Sequence, residues 1–282
     1  MTNYMIELNE GLELIKSMIE DAIIERGEAG KRSVINSSRT INVLHEVVKA
    51  DLIRNGVRPD LLRPELGSSK PEIRLAGFLK YKFQDVCVFP NETFQPLPEI
   101  IDFNGLHSGK KDKYGELFSE HILTINLRSQ LSSLSKNKDT MFERTYAEPL
   151  NLHRRLPKMV LGEVYLLSAR ELNSSAVKNS QVSYKAISTS SKNALQEYIF
   201  GFAALNGRFN QGDDFFKYER VALLIVDFSV SPLRIYNSVD ELKADEFLNE
   251  DSQCSLKNLT YENFIADLLK AYDRRFGTGI LS

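Results

Sequence analysis

Cysteine is scarce in this chain. Cys87 and Cys254 are the two present, too few and too far apart for a disulfide framework or a metal knuckle. Cys87 stands in the apolar run Val86-Cys87-Val88-Phe89 and reads as a small buried hydrophobe, not a nucleophile. Long hydrophobic runs are lacking too, since none approaches the roughly 18 apolar residues of a membrane span. The opening MTNYMIELNE has neither the basic nor the apolar region of a secretion signal. A cytoplasmic protein that does not engage a membrane is expected. The phosphate-cradling patterns GxxxxGK[ST] and GxGxxG do not occur, so no nucleotide cofactor is expected. HExxH and GxSxG are missing, and His45, His107, His121 and His153 lack the spacing of zinc ligands.

Nor does charge of one sign dominate. Lys and Arg number 36 and Asp and Glu 38, a net charge of −2 over 282 residues, which by itself argues against a nucleic-acid partner. The total is a cancellation. Segment 31–90 has eleven basic and six acidic residues and nets +5; segment 121–160 has seven and three and nets +4. Segment 237–267 has eight acidic and two basic residues and nets −6. A polarised molecule is expected, basic on one face and acidic on another.

Hydrophobic patterning supplies the elements. Apolar residues recur at helical spacing over 5–26, where Gly27 and Gly30 are expected to end the helix, and again over 39–55 behind Ser37-Ser38. Strands are expected over 73–79 and 82–89, a long irregular insertion over 90–119, and a strand over 121–128. A helix over 140–155 follows, with Pro149 at a kink or junction. Further strands are expected over 159–168, 221–228 and 233–236, and helices over 190–206 and 260–275. Helices before, between and after strands predict an α/β fold, a central mixed β-sheet flanked by helices. The chain reads as one domain over 1–282. It opens with a helical part at 1–60, carries the insertion at 90–119, and ends in an acidic part at 237–282.

Three segments carry chemistry. In KYKFQDVCV, Asp85 sits at the mouth of an apolar strand, where a carboxylate is costly unless cations or donors meet it. In ILTINLRSQ, alternation puts Asn126 and Arg128 on one face. SSLSKN then leads into the helix bearing Glu143 and Glu148. Metal-dependent phosphodiester hydrolysis needs oxygen ligands from neighbouring strands and a cation near the scissile phosphate.

The run INLRSQLSSLSKN, the helix with Glu143 and then PKMVLGEVYLL resemble restriction endonucleases of the PD-(D/E)xK superfamily. The likeness spans about residues 75–168 and is nearest the XhoI-like pattern, where E-x-K-S-Q precedes a Ser/Gly-rich turn ending in K-N. The resemblance implies a restriction-endonuclease-like core and a homodimer that hydrolyses double-stranded DNA at specific sites with Mg²⁺. By position, Asp85 matches the metal-binding Asp, Asn126 falls at the second acid, and Arg128 falls at the Lys. Ser129 and Gln130 match S-Q, Lys136 and Asn137 match K-N, and Glu143 matches the helix acid. The implied catalytic set is thus Asp85, Asn126, Arg128, Gln130 and Glu143, with Asp85 and Asn126 on the metal.

The departure is N-x-R for E-x-K. Asn brings an amide oxygen without charge, and Arg keeps a charge but cannot transfer protons near neutral pH. Three arrangements accommodate it: a site rebuilt with Glu72, Glu143, Glu148 or Glu163, a variant motif with weaker metal binding, or a DNA-binding relative that no longer cleaves. An interaction subunit docking through its acidic C-terminal part is a further alternative. Glu163 reads as structural or solvent-facing. Glu46, on an early helix, reads as either a metal-facing or a solvated acid. For phosphate contact, Arg39, Lys70, Lys136 and Asn137 stand out, with Lys31, Arg32, Arg154 and Arg155. In the insertion, Asn104, His107, Lys110 and Lys111 are candidate base readers or phosphate clamps.

Overall fold

The computed structural model describes residues 5–102 and 105–282. Helix α1 covers Leu8–Ile35 and does not stop at Gly27. Gly27 adopts φ +55° and ψ −133°, a kink after which the helix resumes. A Cβ at Gly27 would lie 2.9 Å from the Val177 carbonyl oxygen, so the glycine also permits close packing of a later segment. Helix α2 is Arg39–Arg54. Lys49 on α2 is fully buried and donates to the carbonyls of Glu65 (2.9 Å) and Ser68 (2.8 Å). Glu46 pairs with Lys49 and accepts from the Gly67 N–H, which places it in the framework of this loop.

The strands are β1 (Leu62–Arg63), β2 (Ile73–Ala76), β3 (Tyr81–Gln84), β4 (Val86–Val88), β5 (Glu99–Ile100) and β6 (Lys111–Asp112). The run expected over 82–89 is therefore broken at Asp85. Helix α3 (Glu116–Glu120) precedes β7 (Leu123–Gln130), and α4 (Lys138–His153) leads to β8 (Leu161–Ser168). Pro149 lies inside α4 and does not divide it. Helices α5 (Ser174–Lys178) and α6 (Thr189–Leu205), strands β9 (Arg220–Asp227) and β10 (Arg234–Tyr236), and helices α7 (Val239–Ala244) and α8 (Phe264–Phe276) complete the order.

Six strands form one mixed sheet in the order β1-β4-β7-β8-β9-β10. Strands β7, β8 and β9 run parallel and the other neighbours antiparallel. The three parallel strands are eight residues each and almost wholly buried, the pattern of strands covered on both faces. On one face Ile125, Val164 and Leu224 pack with Leu12, Leu44 and Leu268 of α1, α2 and α8. On the other, Tyr165 and Leu223 pack with Leu152 of α4, Tyr198 and Phe202 of α6, and Leu256. The acidic C-terminal part contributes apolar residues to both faces. Among the described residues, no helix is long and apolar enough to cross a membrane.

The insertion at 90–119 is tied to this framework. Strands β5 and β6 pair, and the buried Arg155 donates to Asp112 (2.7 Å), Glu99 (2.5 Å) and the Ala76 carbonyl (2.9 Å). Arg155 is thus a structural cation and not a surface phosphate contact.

A buried charge cluster closes the lower end of β8 and β9. Glu219 is 2% exposed and faces Arg208 (3.0 Å), Arg275 (2.7 Å) and His153 (3.5 Å), and it accepts from the Leu161 N–H at 2.7 Å. Burial raises its pKa, but His153, Arg275 and that N–H outweigh the effect and hold it at about 2. Because the folded value lies below the unfolded one, Glu219 stabilises the fold above pH ~4.5, and this contribution is lost as pH falls towards 2. Glu219→Gln leaves two guanidinium groups short of a counter-charge and is expected to cost about 3–5 kcal/mol near neutral pH. Urea unfolding across pH should show the gap between wild type and variant closing between pH about 4.5 and 2. A gap independent of pH would remove Glu219 from the account.

Candidate active site

Asp85 marks the break between β3 and β4, and its side chain explains the break. One carboxylate oxygen accepts the Leu127 backbone N–H at 2.8 Å, taking the place of a ladder bond to the neighbouring strand. β4 pairs with β7 from Val86↔Ile125 onward, so Asp85 is fixed directly beside Asn126 and Leu127. Burial raises the Asp85 pKa, the Leu127 N–H and Arg128 counter it, and Glu72 and Glu148 add to the rise.

Alternation sends Ile125 and Leu127 into the α1/α2 core and Asn126 and Arg128 to the opposite face. Parallel pairing then sets Glu163 beside Asn126 and Tyr165 beside Arg128. The Arg128 guanidinium reaches across to α4, where it donates to Thr145 Oγ1 (3.0 Å) and pairs with Glu148. Its Nε lies 3.5 Å from Glu163 Oε1. Lys82 of β3 grips the other oxygen of Glu148. Burial opposes the Arg128 charge, but Glu163, Tyr218 and Glu148 outweigh it and the group stays cationic.

This face opens into a cleft of about 900 Å³. Asp85, Asn126, Arg128 and Gln130 line it from the sheet, Lys82 and Phe83 from β3, and Asn137 and Arg144 from the entry and outer side of α4. Thr40 and Ile41 of α2 form the far wall. A smaller hollow lined by Lys31, Arg32, Ser132, Ser133 and Lys136 adjoins it and shares Ile35 and Asn36 with it.

The implied residues divide. Asp85, Asn126 and Arg128 come together as the resemblance implies. Gln130 is at the rim, its amide donating to the carbonyls of Ser133 and Lys136 and so holding the turn. Glu143 is exposed and points away from this face. The α4 side chains that turn inward are Thr145, Glu148 and Leu152, a 3–4 residue stripe that excludes position 143. Glu148 is therefore the helix acid of this site, and Glu143 is not.

Glu163, read from the sequence as structural or solvent-facing and as one replacement for the missing acid, is not solvent-facing: it is fully buried, and its pKa is pushed up to about 8 by burial, with Glu148 and Asp85 adding and Arg128 opposing. The signal was available, because a lone Glu in the apolar strand LGEVYLLS poses the problem that singled out Asp85.

Among the DNA candidates, Lys136 and Asn137 lie along the cleft and its annex, and Arg39 is exposed at the start of α2 beside it. Lys70 is exposed and pairs with Glu72. His107 is 1% exposed, with its ring 4.8 Å from that of Tyr81, so it reads no base from this position. Lys110 and Lys111 are exposed, but no described residue of 90–119 lines the cleft. Asn104 lies outside the described residues.

The donor set was weighed for Mg²⁺. Among the described residues, no three His, Cys, Asp or Glu side chains converge on one point, which argues against an all-protein cage. Mg²⁺ commonly needs only one or two carboxylates, keeping its waters and taking substrate phosphate oxygens. Asp85 and Asn126 line the cleft, and Glu163 lies beside Asn126 with both carboxyl oxygens buried and without a hydrogen-bond donor, a donor set that fits that kind of site.

Raising a carboxyl above its unfolded pKa costs stability as pH climbs, since the native state retains a proton that the unfolded chain releases. Glu163→Gln is expected to match wild type in stability near pH 4.5. By pH 8 it should be more stable by a margin on the order of 4 kcal/mol. Thermal unfolding of both proteins from pH 4.5 to 8.5 checks this, and parallel curves would refute it. Comparison with family models, with curated proteins and with solved structures returned no match.

Proposed function

We propose that the chain is a Mg²⁺-dependent, site-specific double-stranded DNA endonuclease of the type II restriction kind, acting as a homodimer because each site serves one strand. The observation that carries the proposal is the single face shared by Asp85, Asn126 and Arg128 and backed by Glu148 and Glu163. Carboxylates stand where the N-x-R motif lacks one. The order α2, strand with Asp85, strand with N-x-R, α4, parallel strand is also the order that a restriction-endonuclease-like core requires.

Asp85, Asn126 and Glu163 are the residues that would hold the ion. When bound, it would neutralise phosphate charge and lower the pKa of a coordinated water. Arg128 is a permanent cation, so its task is to bind the non-bridging phosphate oxygens and not to move a proton. Glu148 and Thr145 orient that guanidinium. Lys82 shares Glu148 and can turn to phosphate once DNA enters. Arg144 and Lys136 extend the positive lining along the cleft for neighbouring phosphates, while Lys31 and Arg32 in the annex are paired with Glu28.

A second reading rests on a specific observation. Arg128 lies in the ion-pair cage of Glu148 and Glu163, and with Asn126 the site has fewer free negative charges than a metal centre prefers. A DNA-binding relative that does not cleave is consistent with that arrangement.

Plasmid cleavage in Mg²⁺ and in Mn²⁺ separates the two. An endonuclease is expected to linearise plasmid. Asp85→Ala and Glu163→Gln should each lower the rate by about two orders of magnitude or more, and Glu148→Gln by a smaller factor through misplacement of Arg128. Equal cleavage by wild type and Asp85→Ala would remove Asp85 from the mechanism. Salt-sensitive plasmid retention without cleavage in either metal would establish the binding-only reading.

A further inference from the structure

Strands β2 and β3 form a separate two-stranded ribbon beside the cleft, with Arg74 directly opposite Phe83. Its inner face is committed: Ile73 and Leu75 are buried, and Lys82 reaches in to Glu148. Its outer face carries Arg74, Tyr81 and Phe83. Phe83 is 56% exposed although it lines the cleft two residues before Asp85. A single exposed phenylalanine is ordinary on a protein surface. This one differs in being braced. The Arg74 guanidinium lies 4.0 Å from the Tyr81 ring centroid and 5.8 Å from that of Phe83, so a cation is stacked among the rings at the lip of the cleft.

A two-stranded ribbon is narrow enough to enter a DNA groove. Two residues of strand separate Phe83 from Asp85 by about 6.6 Å along the chain. A phosphate held at Asp85 and Arg128 therefore brings the adjoining base steps within reach of the ring. Apolar side chains inserted at such steps unstack them at a cost of a few kcal/mol and bend the duplex towards more protein contact. Cations on both sides of the ring, Arg74 on the ribbon and Arg144 on α4, together with Lys82 and Arg128 that share Glu148, complement a duplex rather than an apolar protein surface.

We infer that Phe83 is a wedge that enters a base step of bound duplex DNA beside the phosphate held in the Asp85–Arg128 cleft, an inference resting on the DNA reading above. Its role is to position the substrate by local unstacking. It touches neither the metal nor the reacting oxygens.

The test uses closed circular plasmid, which offers every sequence at once. Plasmid is relaxed by a topoisomerase in Ca²⁺ with the full-length chain present, and its linking number is compared after the protein is removed. Filter retention of the same plasmid measures binding. Wild type is expected to retain plasmid and lower its linking number, and Phe83→Tyr to do the same. Phe83→Ala should lose the linking-number change and bind roughly tenfold more weakly. Protein concentration is raised to equal retention, so weaker binding alone cannot account for the loss. A linking-number change that persists in Phe83→Ala at equal retention, or none with wild type despite retention, overturns the wedge and leaves the DNA reading intact. Failure of wild type to retain plasmid at low salt overturns both.

Discussion

The site depends on one constraint: a guanidinium taken largely out of water must be met by negative charge from more than one side. Arg128 is on β7, the first of the three parallel strands, and its side chain is 19% exposed. Strand alternation decides that it points towards α4, and α4 answers with Glu148 and Thr145. The neighbouring strand answers with Glu163. Three successive elements, β7, α4 and β8, are thereby tied to one charged group.

The same constraint explains why the carboxylates are poised. Glu163 is buried among Asp85, Glu148 and Arg128, so its protonation is set by their balance and not by solvent. A cluster of three acids and two cations, Lys82 being the second, is close to neutral as it stands. Incoming phosphate would compete with Glu148 for Arg128 and Lys82, and an incoming cation would compete with Arg128 for Glu163. On the proposed reading, each ligand would weaken the internal pair that holds off the other. In the other cluster, the acid of Glu219 faces three basic groups, Arg208, Arg275 and His153, and all four side chains are buried.

Most of the central architecture was legible in the chain because it follows periodicity. Strands β7, β8 and β9 and helices α2, α4, α6 and α8 lie where apolar spacing placed them within a few residues, and the mixed sheet follows from their order. The failures have physical causes. Glycine at 27 normally ends a helix, but contact with the later segment at Val177 stabilises a kink through which α1 continues. The extended run 82–89 is split because Asp85 substitutes a side-chain acceptor for a backbone one, and no propensity records that event. Short strands such as β1, β5 and β6 exist only through partners distant in sequence. At the candidate site, alternation put Asn126 and Arg128 on one face, and Asp85 stood out as a lone acid at the mouth of an apolar strand. Glu143 was misassigned because alignment to a motif overrode helical phase, which already favoured Glu148 on the stripe with Thr145 and Leu152. His107 and Arg155 looked like ligands for DNA only because burial cannot be read from residue type.

Near-neutral charge first seemed to speak against DNA. In the folded chain, however, the acids and bases are not mixed at random. Among the described residues, none of 237–267 lines the cleft or its annex, and Asp267 of that part pairs with Arg220. Basic residues from 31–90 and 121–160 meet along the cleft because α1, β3, β7 and α4 are brought together by the sheet order and the α1–α2 corner. A phosphate entering the cleft is surrounded chiefly by these groups, since exposed charges farther away than about 10 Å are screened at ordinary ionic strength. Net charge sums over distances that the electrostatics does not, so a total of −2 does not by itself oppose the proposed DNA reading.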